Sequence, residues 1–383
     1  MSRNVVHRLG LAWLGVVILL VCAQGANAQG VTTSAISGFV LDEKGAPLQG
    51  ALVRAVHVPS GTPYTALVRA SGTYTIPNMR IGGPYRVTVQ LLGYQTETKE
   101  EPLLQLAQTT RLDFALKVEA VELKAMEVTA EADEVFSSAR TGAATYLDAR
   151  EVAQLPSIKR STRDLIRLDP RNDGNFAFAG RNWLFNNISL DGSYFNNPYG
   201  LDDPAPGGQS GAEPVPYEAV EQVQVSLAPF DVREGGFTGA NINTVTKSGS
   251  NDFKLSVYGF GRNESFIGNQ VRGADVIANP DLAFQQSGFT LSGPLKQNKL
   301  FFFVNGEMER RDDPGSNFVA NRGGGVDFGE SRASAAILDQ IRQRMISVYN
   351  YDPGDYDGFV HETNNDKLLV RLDGNLNDAN TFS

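Results

Sequence analysis

Four segments in the last third of the chain alternate apolar and polar residues with a period of two. Because successive side chains of a β-strand point to opposite faces, this period predicts strands with one apolar and one mixed face. A half-buried sheet in water has the same period, so the alternation alone does not separate a soluble sheet from a membrane-spanning one. The apolar members are Phe253, Leu255 and Val257, then Phe289 and Leu291, then Leu300, Phe302, Val304 and Met308, then Leu368, Val370, Leu372 and Leu376.

The lengths of the connections between these segments favour a membrane β-barrel. Connections 263–283 and 310–365 are long, whereas 294–297 and 378–380 are short. Outer-membrane barrels alternate long external loops with short periplasmic turns in this way. We therefore expect the strands to belong to a transmembrane antiparallel barrel.

The long connection 310–365 contains two further patterns. Apolar residues at every fourth position predict an amphipathic helix within Ser331–Tyr349, with these side chains packed inside the loop. Asp352, Asp355 and Asp357 do not have the spacing of an EF-hand calcium loop, so we predict a solvated turn there and no metal ion. The periodic apolar residues are Ile337, Ile341 and Met345.

Composition and charge exclude several classes of protein. With 39 Gly and 18 Pro among 383 residues, the chain suits two or three β-rich domains and not a helical bundle. A net charge of −9 argues against nucleic acid as the main partner. The only cysteine is Cys22, and three distant histidines lack the spacing of a zinc site. We predict no cofactor and no enzymatic activity.

The N-terminus has the pattern of a secretory signal peptide spanning residues 1–28. Arg3 and Arg8 precede an apolar run from Leu9 to Val21, and Ala26-Asn27-Ala28 forms a cleavage site of small residues. A membrane anchor would need about 20 apolar residues, which this run does not reach. A lipoprotein signal at Cys22 is disfavoured by the bulky valine before it. We expect export and cleavage after Ala28.

Residues 31–118 contain short strand-like runs separated by turns, which is the arrangement of a small β-sandwich. Their pattern G-x-V-x-D-x-x-G-x-P-L-x-G-A-x-V, with Gly72-Thr73-Tyr74 and Gly93-Tyr94 further on, resembles the carboxypeptidase regulatory-like domain. This resemblance implies a prealbumin-like or immunoglobulin-like sandwich and brings no peptidase chemistry, because the zinc ligands of such enzymes belong to a separate domain. The matching residues are Gly38, Val40, Asp42, Gly45, Pro47, Leu48, Gly50, Ala51 and Val53.

The stretch Glu218–Arg262 joins a strand pattern, a glycine cluster, a second strand pattern and the first alternating segment. It resembles the segment that closes the plug domain of TonB-dependent outer-membrane receptors and leads into the first barrel strand. Glycines beside strands suit tight bends or a close backbone approach. The matching residues are Gly239, Ile242, Asn243, Thr246, Lys247 and Gly249.

Residues 119–140 are rich in Glu, Ala, Lys and Val, and we interpret them as a linker. Within it, Glu127, Val128, Thr129 and Ala130 resemble the TonB box, an extended peptide that pairs with the edge of the sheet of TonB in the periplasm. Val and Thr favour strands, and backbone pairing would supply the affinity. The resemblance therefore implies TonB as a partner.

The plug domain is predicted at 141–250. Asp148–Pro156 and Ser161–Leu168 have the capping residues of short helices, the first ended by proline. Strand patterns follow at Phe176–Ala179 and Trp183–Leu190, and Asp191-Gly192 predicts a tight turn. The pattern G-R-N…N-N…I-x-x-D-G resembles the Oar-like branch of TonB-dependent transporters.

Asparagine and aromatic residues dominate 182–199, and we consider them a candidate ligand-facing apex of the plug. Amides both donate and accept hydrogen bonds, and aromatic rings stack on sugars or apolar solutes. Hydrogen bonding of irregular loops within a barrel is the alternative, and we favour it for two of the asparagines, Asn186 and Asn187. The candidate residues are Arg181, Asn182, Asn186, Asn187, Asp191, Tyr194, Phe195 and Asn196.

The sequence thus predicts a mainly β protein: a β-sandwich, an α+β plug and, in 251–383, the first strands of an incomplete transmembrane barrel. A plugged transporter barrel needs about 22 strands, so we expect an N-terminal fragment. The resemblance implies an outer-membrane receptor that imports a small solute, oligosaccharide or peptide, with TonB and outer-membrane lipid as partners. The alternative is a secreted or surface-anchored adhesion protein that binds carbohydrate without transport.

Overall fold

The fold is described from a computed structural model. The structure describes residues 31–101, 103–118, 144–173, 176–197, 211–229, 234–268, 270–276, 282–316, 318–377 and 380–383. The predicted signal peptide and the Glu127–Ala130 segment lie outside these residues. The chain forms two compact units, the first made of Met1–Val58, Pro63–Pro206 and Val220–Thr246, and the second of Pro59–Thr62, Gly207–Ala219 and Lys247–Ser383.

The first eight strands form the predicted β-sandwich. One sheet has the order β4-β1-β7, with β8 also paired to β1, and the other has the order β3-β2-β5-β6. Their inward-facing side chains, such as Ile36, Val53, Tyr74 and Tyr85, form the core. The strands are β1 (Thr33–Asp42), β2 (Leu52–His57), β3 (Thr62–Leu67), β4 (Thr73–Arg80), β5 (Tyr85–Gln90), β6 (Glu97–Glu101), β7 (Thr109–Arg111) and β8 (Phe114–Leu116).

A five-stranded mixed sheet follows within the first unit, in the order β11-β10-β13-β12-β9. Strands β10 and β13 are parallel, and the other pairs are antiparallel. All six residues of β13 are buried, so this strand lies at the centre of the unit. The strands are β9 (Ala144–Leu147), β10 (Asn187–Leu190), β11 (Ser193–Tyr194), β12 (Val220–Ser226) and β13 (Asn241–Thr246).

Two short helices connect β9 to the rest of this sheet, close to their predicted positions. Helix α1 (Ala149–Gln154) begins with a capping box in which Asp148 accepts from the backbone of Glu151 and Glu151 accepts from that of Asp148. Helix α2 (Thr162–Ile166) is capped by Ser161. These caps satisfy backbone N–H groups that the first helical turn leaves without partners.

The strand predicted at Phe176–Ala179 is wrong. Phe176 and Ala179 have φ angles of 60° and 51°, which a regular strand does not accommodate. The strand predicted from Trp183 begins at Asn187 instead, because Trp183–Phe185 forms a 3₁₀ turn capped by Asn182. Short polar side chains that bond to nearby backbone compete with strand formation here.

Buried contacts join the sandwich to the mixed sheet within the first unit. The Leu106 N–H donates to Gln222 Oε1 over 2.8 Å, and Asn243 Nδ2 donates to the Val31 carbonyl over 2.6 Å. Beside them, Ile81 and Val245 pack in one small apolar cluster with Leu106. The two β-structures therefore share part of their cores.

The second unit is built on an antiparallel sheet in the order β14-β17-β18-β21-β22. Its long strands contain the four alternating segments except Phe253, which precedes β14, and they extend beyond the predicted ends. In the described residues β14 and β22 do not pair, so the sheet is open. The strands are β14 (Lys254–Asn263), β15 (Gln270–Val271), β16 (Ala274–Asp275), β17 (Ala283–Lys296), β18 (Leu300–Pro314), β19 (Val319–Asn321), β20 (Glu330–Ser334), β21 (Val360–Asn377) and β22 (Asn380–Phe382).

Helix α3 (Ala335–Tyr349) lies in the long connection, where the sequence predicts it, but it starts at Ala335 because Glu330–Ser334 forms β20. Ile337 and Ile341 are 57% and 50% exposed, so the expectation that they pack inside the loop is wrong. No helix among the described residues is long and apolar enough to cross a membrane.

The aspartates that follow α3 are engaged by an arginine on that helix. Arg342 Nη1 lies 2.6 Å from Asp355, and Arg342 Nε lies 3.1 Å from Asp352. Hydrogen bonds from Arg342 and from the Gly354 backbone lower the pKa of Asp352. This part of the loop is therefore held by ion pairs.

The sandwich contains a buried histidine at the end of β2. The centre of the His57 ring lies 5.0 Å from that of the Tyr85 ring, and His57 is only 6% exposed. Burial, assisted by the positive charge of Arg80, lowers the pKa of His57 to about 3. The imidazole is therefore neutral in the folded sandwich at neutral pH.

This histidine makes the stability of the sandwich dependent on pH. Between pH 6.5 and pH 3 the unfolded chain binds a proton at His57 that the folded chain does not, so stability falls as the pH falls through this range. We expect a loss of up to about 1.4 kcal/mol per pH unit. Hydrogen exchange of the β5 amides from pH 7 to pH 4, corrected for intrinsic exchange rates, measures this loss of stability. A His57→Phe variant should lack this part of the dependence, and an unchanged slope would contradict the assignment.

Candidate functional site

The long sheet of the second unit presents one face that is apolar and exposed. Strand register places Leu255, Leu291, Val304 and Val370 in one row across β14, β17, β18 and β21. Three of these side chains are exposed, with Leu255 at 70% and Val370 at 60%. We call this the apolar face, and its neighbouring row is Val257, Phe289, Gly306 and Leu368.

Aromatic rings on the apolar face cover glycines of the neighbouring strand. A Cβ added to Gly306 would lie 2.7 Å from Cε1 of Phe289, and one added to Gly293 would clash with the ring of Phe253. The glycines therefore allow the rings to lie flat along the sheet. A continuous exposed apolar surface of this kind suits contact with lipid.

The opposite, mixed face carries buried charges. Lys367 Nζ lies 2.7 Å from Glu307 Oε1 and 3.0 Å from Glu309 Oε2. Glu307 also accepts a hydrogen bond from the Tyr258 hydroxyl over 2.8 Å. Tyr258 reaches across Gly288, where an added Cβ would lie 2.5 Å from the hydroxyl oxygen. One lysine thus compensates two carboxylates on this face.

A segment that precedes β12 in the chain, 211–219, lies against the mixed face within the second unit. Asn365 Nδ2 donates to the Glu213 carbonyl over 3.0 Å. A Cβ on Gly211 would lie 3.5 Å from the guanidinium of Arg311. The Lys247 N–H donates to the Ala219 carbonyl over 2.7 Å at the other end of the segment. On the mixed face, Asn365 thus bonds the backbone of the 211–219 segment.

The candidate apex residues divide into buried and exposed groups. Asn186 and Asn187 are buried, whereas the Phe195 side chain is half-buried. Asn186 Nδ2 donates to the Phe176 carbonyl over 2.5 Å, and its Oδ1 accepts from the Ala240 N–H over 2.9 Å. The exposed members are Arg181, Asn182, Asp191, Tyr194 and Asn196.

Three of these residues also form hydrogen bonds that hold the ends of strands. Asn187 Nδ2 donates to Asn241 Oδ1 over 2.8 Å, and Asn196 Nδ2 donates to Asn187 Oδ1 over 3.0 Å. Asp191 accepts from both the N–H and the hydroxyl of Thr246, over 2.9 and 2.7 Å. The structure thus brings Asn187 and Asn196 together and leaves Arg181, Asn182 and Tyr194 accessible.

We expect Asn186→Leu to destabilise the first unit by about 1–3 kcal/mol, because the change removes the side-chain partner of the buried Ala240 N–H and of the half-buried Phe176 carbonyl. Arg181→Gln, at an exposed position, should change stability by less than about 0.5 kcal/mol. Chemical denaturation of the full-length protein distinguishes the two. Equal effects would contradict the structural role of Asn186.

The sequence-based candidates did not include the polar residues of the mixed face. Tyr258, Gln286 and Lys367 lie on three different strands, and register alone brings them to one face. The available signal was the polar half of each alternating segment, which predicts a side of the sheet but not which residues meet across it.

Comparison with known families agrees with this architecture. Residues 35–117 match the carboxypeptidase regulatory-like domain, and residues 245–383 match the outer membrane beta barrel domain. The first match covers the β-sandwich, and the second covers the long sheet with its exposed apolar face. The chain therefore contains a carboxypeptidase regulatory-like domain and, further on, a segment that matches the outer membrane beta barrel domain.

One relative indicates more closely which class of outer-membrane protein the chain resembles. Over 288 residues the chain is 26% identical to the TonB-dependent transporter Oar of Myxococcus xanthus, an alignment that covers 71% of this chain and 26% of that protein. The chain is thus a homologue of the Oar TonB-dependent transporter, which confirms the resemblance seen in the sequence. It spans about a quarter of the length of that relative.

Solved structures give weaker similarities. The siderophore receptor PirA from Pseudomonas aeruginosa is 21% identical, with 44% of this chain and 29% of that chain covered and a TM-score of 0.33. A catechol 1,2-dioxygenase mutant from Acinetobacter radioresistens is 16% identical, with 26% and 57% covered and a TM-score of 0.22. Both TM-scores are too low to establish a shared overall fold.

Proposed function

We propose that the chain belongs to a TonB-dependent outer-membrane receptor that imports a bound solute through a plugged β-barrel. The observation that carries the proposal is the alignment with a TonB-dependent transporter across 71% of the chain. The exposed apolar face of the long sheet supports a position in lipid. In water, its large apolar side chains would be in contact with solvent, which is unfavourable for a surface of this extent. No enzymatic step is part of this function.

Each part of the chain then has a role. The signal peptide directs export, with cleavage after Ala28, and the linker presents Glu127–Ala130 to TonB in the periplasm. The mixed sheet β9–β13, with α1 and α2, forms the plug. Arg181, Asn182 and Tyr194, which are exposed, contact the solute, while the buried Asn186 and Asn187 hold the plug loops.

TonB is recognised by strand addition. An extended peptide that adds to a sheet edge uses its backbone N–H and C=O groups for affinity and its side chains for specificity. Energy delivered through this contact rearranges the plug and releases the bound solute to the periplasm. The solute is of the class of small solutes, oligosaccharides or peptides.

A proline at the strand-forming position tests this function. Because proline has no N–H to donate to a ladder, Val128→Pro in the full-length protein is expected to abolish capture of the C-terminal domain of TonB. Val128→Ile, which keeps the backbone donor and β-branched shape, serves as the control and should bind like the parent. Undiminished binding by Val128→Pro would remove the assigned TonB contact, and no binding by the parent would favour an adhesion protein.

A further inference from the structure

The mixed face contains a row of three polar side chains on adjacent strands. Register pairs Gln286 of β17 with Glu309 of β18, and Glu309 with Asn365 of β21. Directly opposed residues of antiparallel strands have Cβ atoms about 4.5–5.5 Å apart, so neighbouring members can act on one bound group. The row offers two amides with a carboxylate between them.

Gln286 is the unusual member of this row. Its residue is 1% exposed, yet neither amide atom has a hydrogen-bond partner in the part of the chain that the structure describes. Burial of an amide without hydrogen bonds is unfavourable, and native structures rarely keep such a group without a functional reason. Gln286 therefore holds a buried amide on the mixed face whose N–H and C=O groups no described residue bonds, and a ligand must displace what covers it to reach them.

The other amide of the row indicates what chemistry fits here. Asn365 Nδ2 already binds a peptide carbonyl, that of Glu213, over 3.0 Å. In an extended peptide, the N–H and C=O of one residue point to the same side, which is how paired strands exchange two hydrogen bonds. A glutamine amide can therefore donate to that C=O and accept from that N–H at the same time.

A cation next to the row adds a second free donor. Arg262 of β14 is paired in register with Phe284, two residues from Gln286, and its guanidinium carbon lies 5.7 Å from the Phe284 ring centre. Arg262 Nε is buried and has no hydrogen-bond partner among the described residues. Arginine suits a carbonyl or a terminal carboxylate.

We propose that Gln286, with Arg262 beside it, is a binding subsite for the backbone of an extended peptide, so that the imported solute is a peptide. This inference rests on the proposed transport function. Gln286 bonds the N–H and C=O of one ligand residue, and Arg262 bonds the next carbonyl or the terminal carboxylate. Glu309 stays paired with Lys367 and keeps the row from attracting simple anions.

The test measures binding of trialanine to the full-length receptor in detergent by isothermal titration calorimetry. We expect Gln286→Leu to weaken trialanine binding at least tenfold while raising the denaturation midpoint, because the change removes a buried amide without partners. The matched control is Gln285→Leu, which makes the same change on the exposed neighbour that points to the opposite face. This control should bind like the parent.

A second titration uses maltotriose, which has vicinal hydroxyls and no amide, in place of trialanine. Binding of maltotriose that depends on Gln286, without binding of trialanine, would overturn the peptide assignment. If the parent protein does not bind trialanine, or if Gln286→Leu binds it as tightly as the parent does, the proposed subsite is wrong. In the second case the Gln286 amide would be satisfied by solvent and not by ligand. The calorimetric assay contains no TonB. Its result on the peptide subsite is therefore independent of whether the proposed TonB contact is correct.

Discussion

Lys367→Met is expected to destabilise the second unit by about 3–5 kcal/mol, the cost of removing one partner from a buried ion pair. The side chains of Lys367, Glu307 and Glu309 are 3%, 0% and 6% exposed. Without the ammonium group, the two carboxylates lie side by side on the same face of β18, two residues apart, and neither is solvated. The Tyr258 hydroxyl can stabilise only one of them.

Urea denaturation of the full-length protein in detergent micelles measures this loss. The control is Arg310→Met, because the Arg310–Asp366 pair has a similar length of 2.7 Å but side chains that are 43% and 67% exposed. Exposed pairs contribute about 0–1 kcal/mol, so the control should be nearly neutral. Adding Glu307→Gln and Glu309→Gln to Lys367→Met should restore most of the stability. A Lys367→Met variant no less stable than Arg310→Met would refute the buried triad.

The β-strands of the second unit were predictable because their two faces meet different surroundings. The apolar members of the alternating segments, such as Leu255 and Leu368, lie on the exposed apolar face, and Glu307 and Glu309 lie on the buried one. A period of two is a local property, so the sequence contains it. Strand ends were less predictable, because pairing with a neighbour extends β17 and β21 beyond their apolar residues.

Features set by distant or competing contacts were not predictable. The positive φ angles of Phe176 and Ala179 prevent a strand where the aromatic residues favour one. Ile337 and Ile341 repeat correctly for an amphipathic helix, but a period says nothing about whether any element covers them. The helix was predicted correctly, whereas the prediction that these side chains pack inside the loop was wrong.

The candidate site shows the same division. The sequence singled out the asparagines at 182–196 from composition, and the structure assigns hydrogen bonds within the first unit to Asn186 and Asn187. The sequence offered no reason to select Gln286, which is an ordinary polar residue in an alternating strand. Only the register with Glu309 and Asn365, together with the free amide, distinguishes it.

Tyr85→Ala is expected to destabilise the β-sandwich by about 3–5 kcal/mol, as large aromatic truncations in a core do. Tyr85 is fully buried at the start of β5, and its ring lies 5.0 Å from His57 and 6.2 Å from Tyr64. Its hydroxyl donates to the Arg80 carbonyl over 2.7 Å. Because domains of this size are stable by only about 5–15 kcal/mol, the loss would unfold a large share of molecules under mild stress.

Tyr85→Phe separates packing from hydrogen bonding in this prediction. It keeps the ring and loses only the bond to the Arg80 carbonyl, so we expect a cost of about 1 kcal/mol. Hydrogen exchange of the β2 and β5 amides in the full-length protein gives both values under one condition. If Tyr85→Phe cost as much as Tyr85→Ala, the hydroxyl and not the ring would hold the two sheets together, and the sandwich core would need to be reassigned around Arg80.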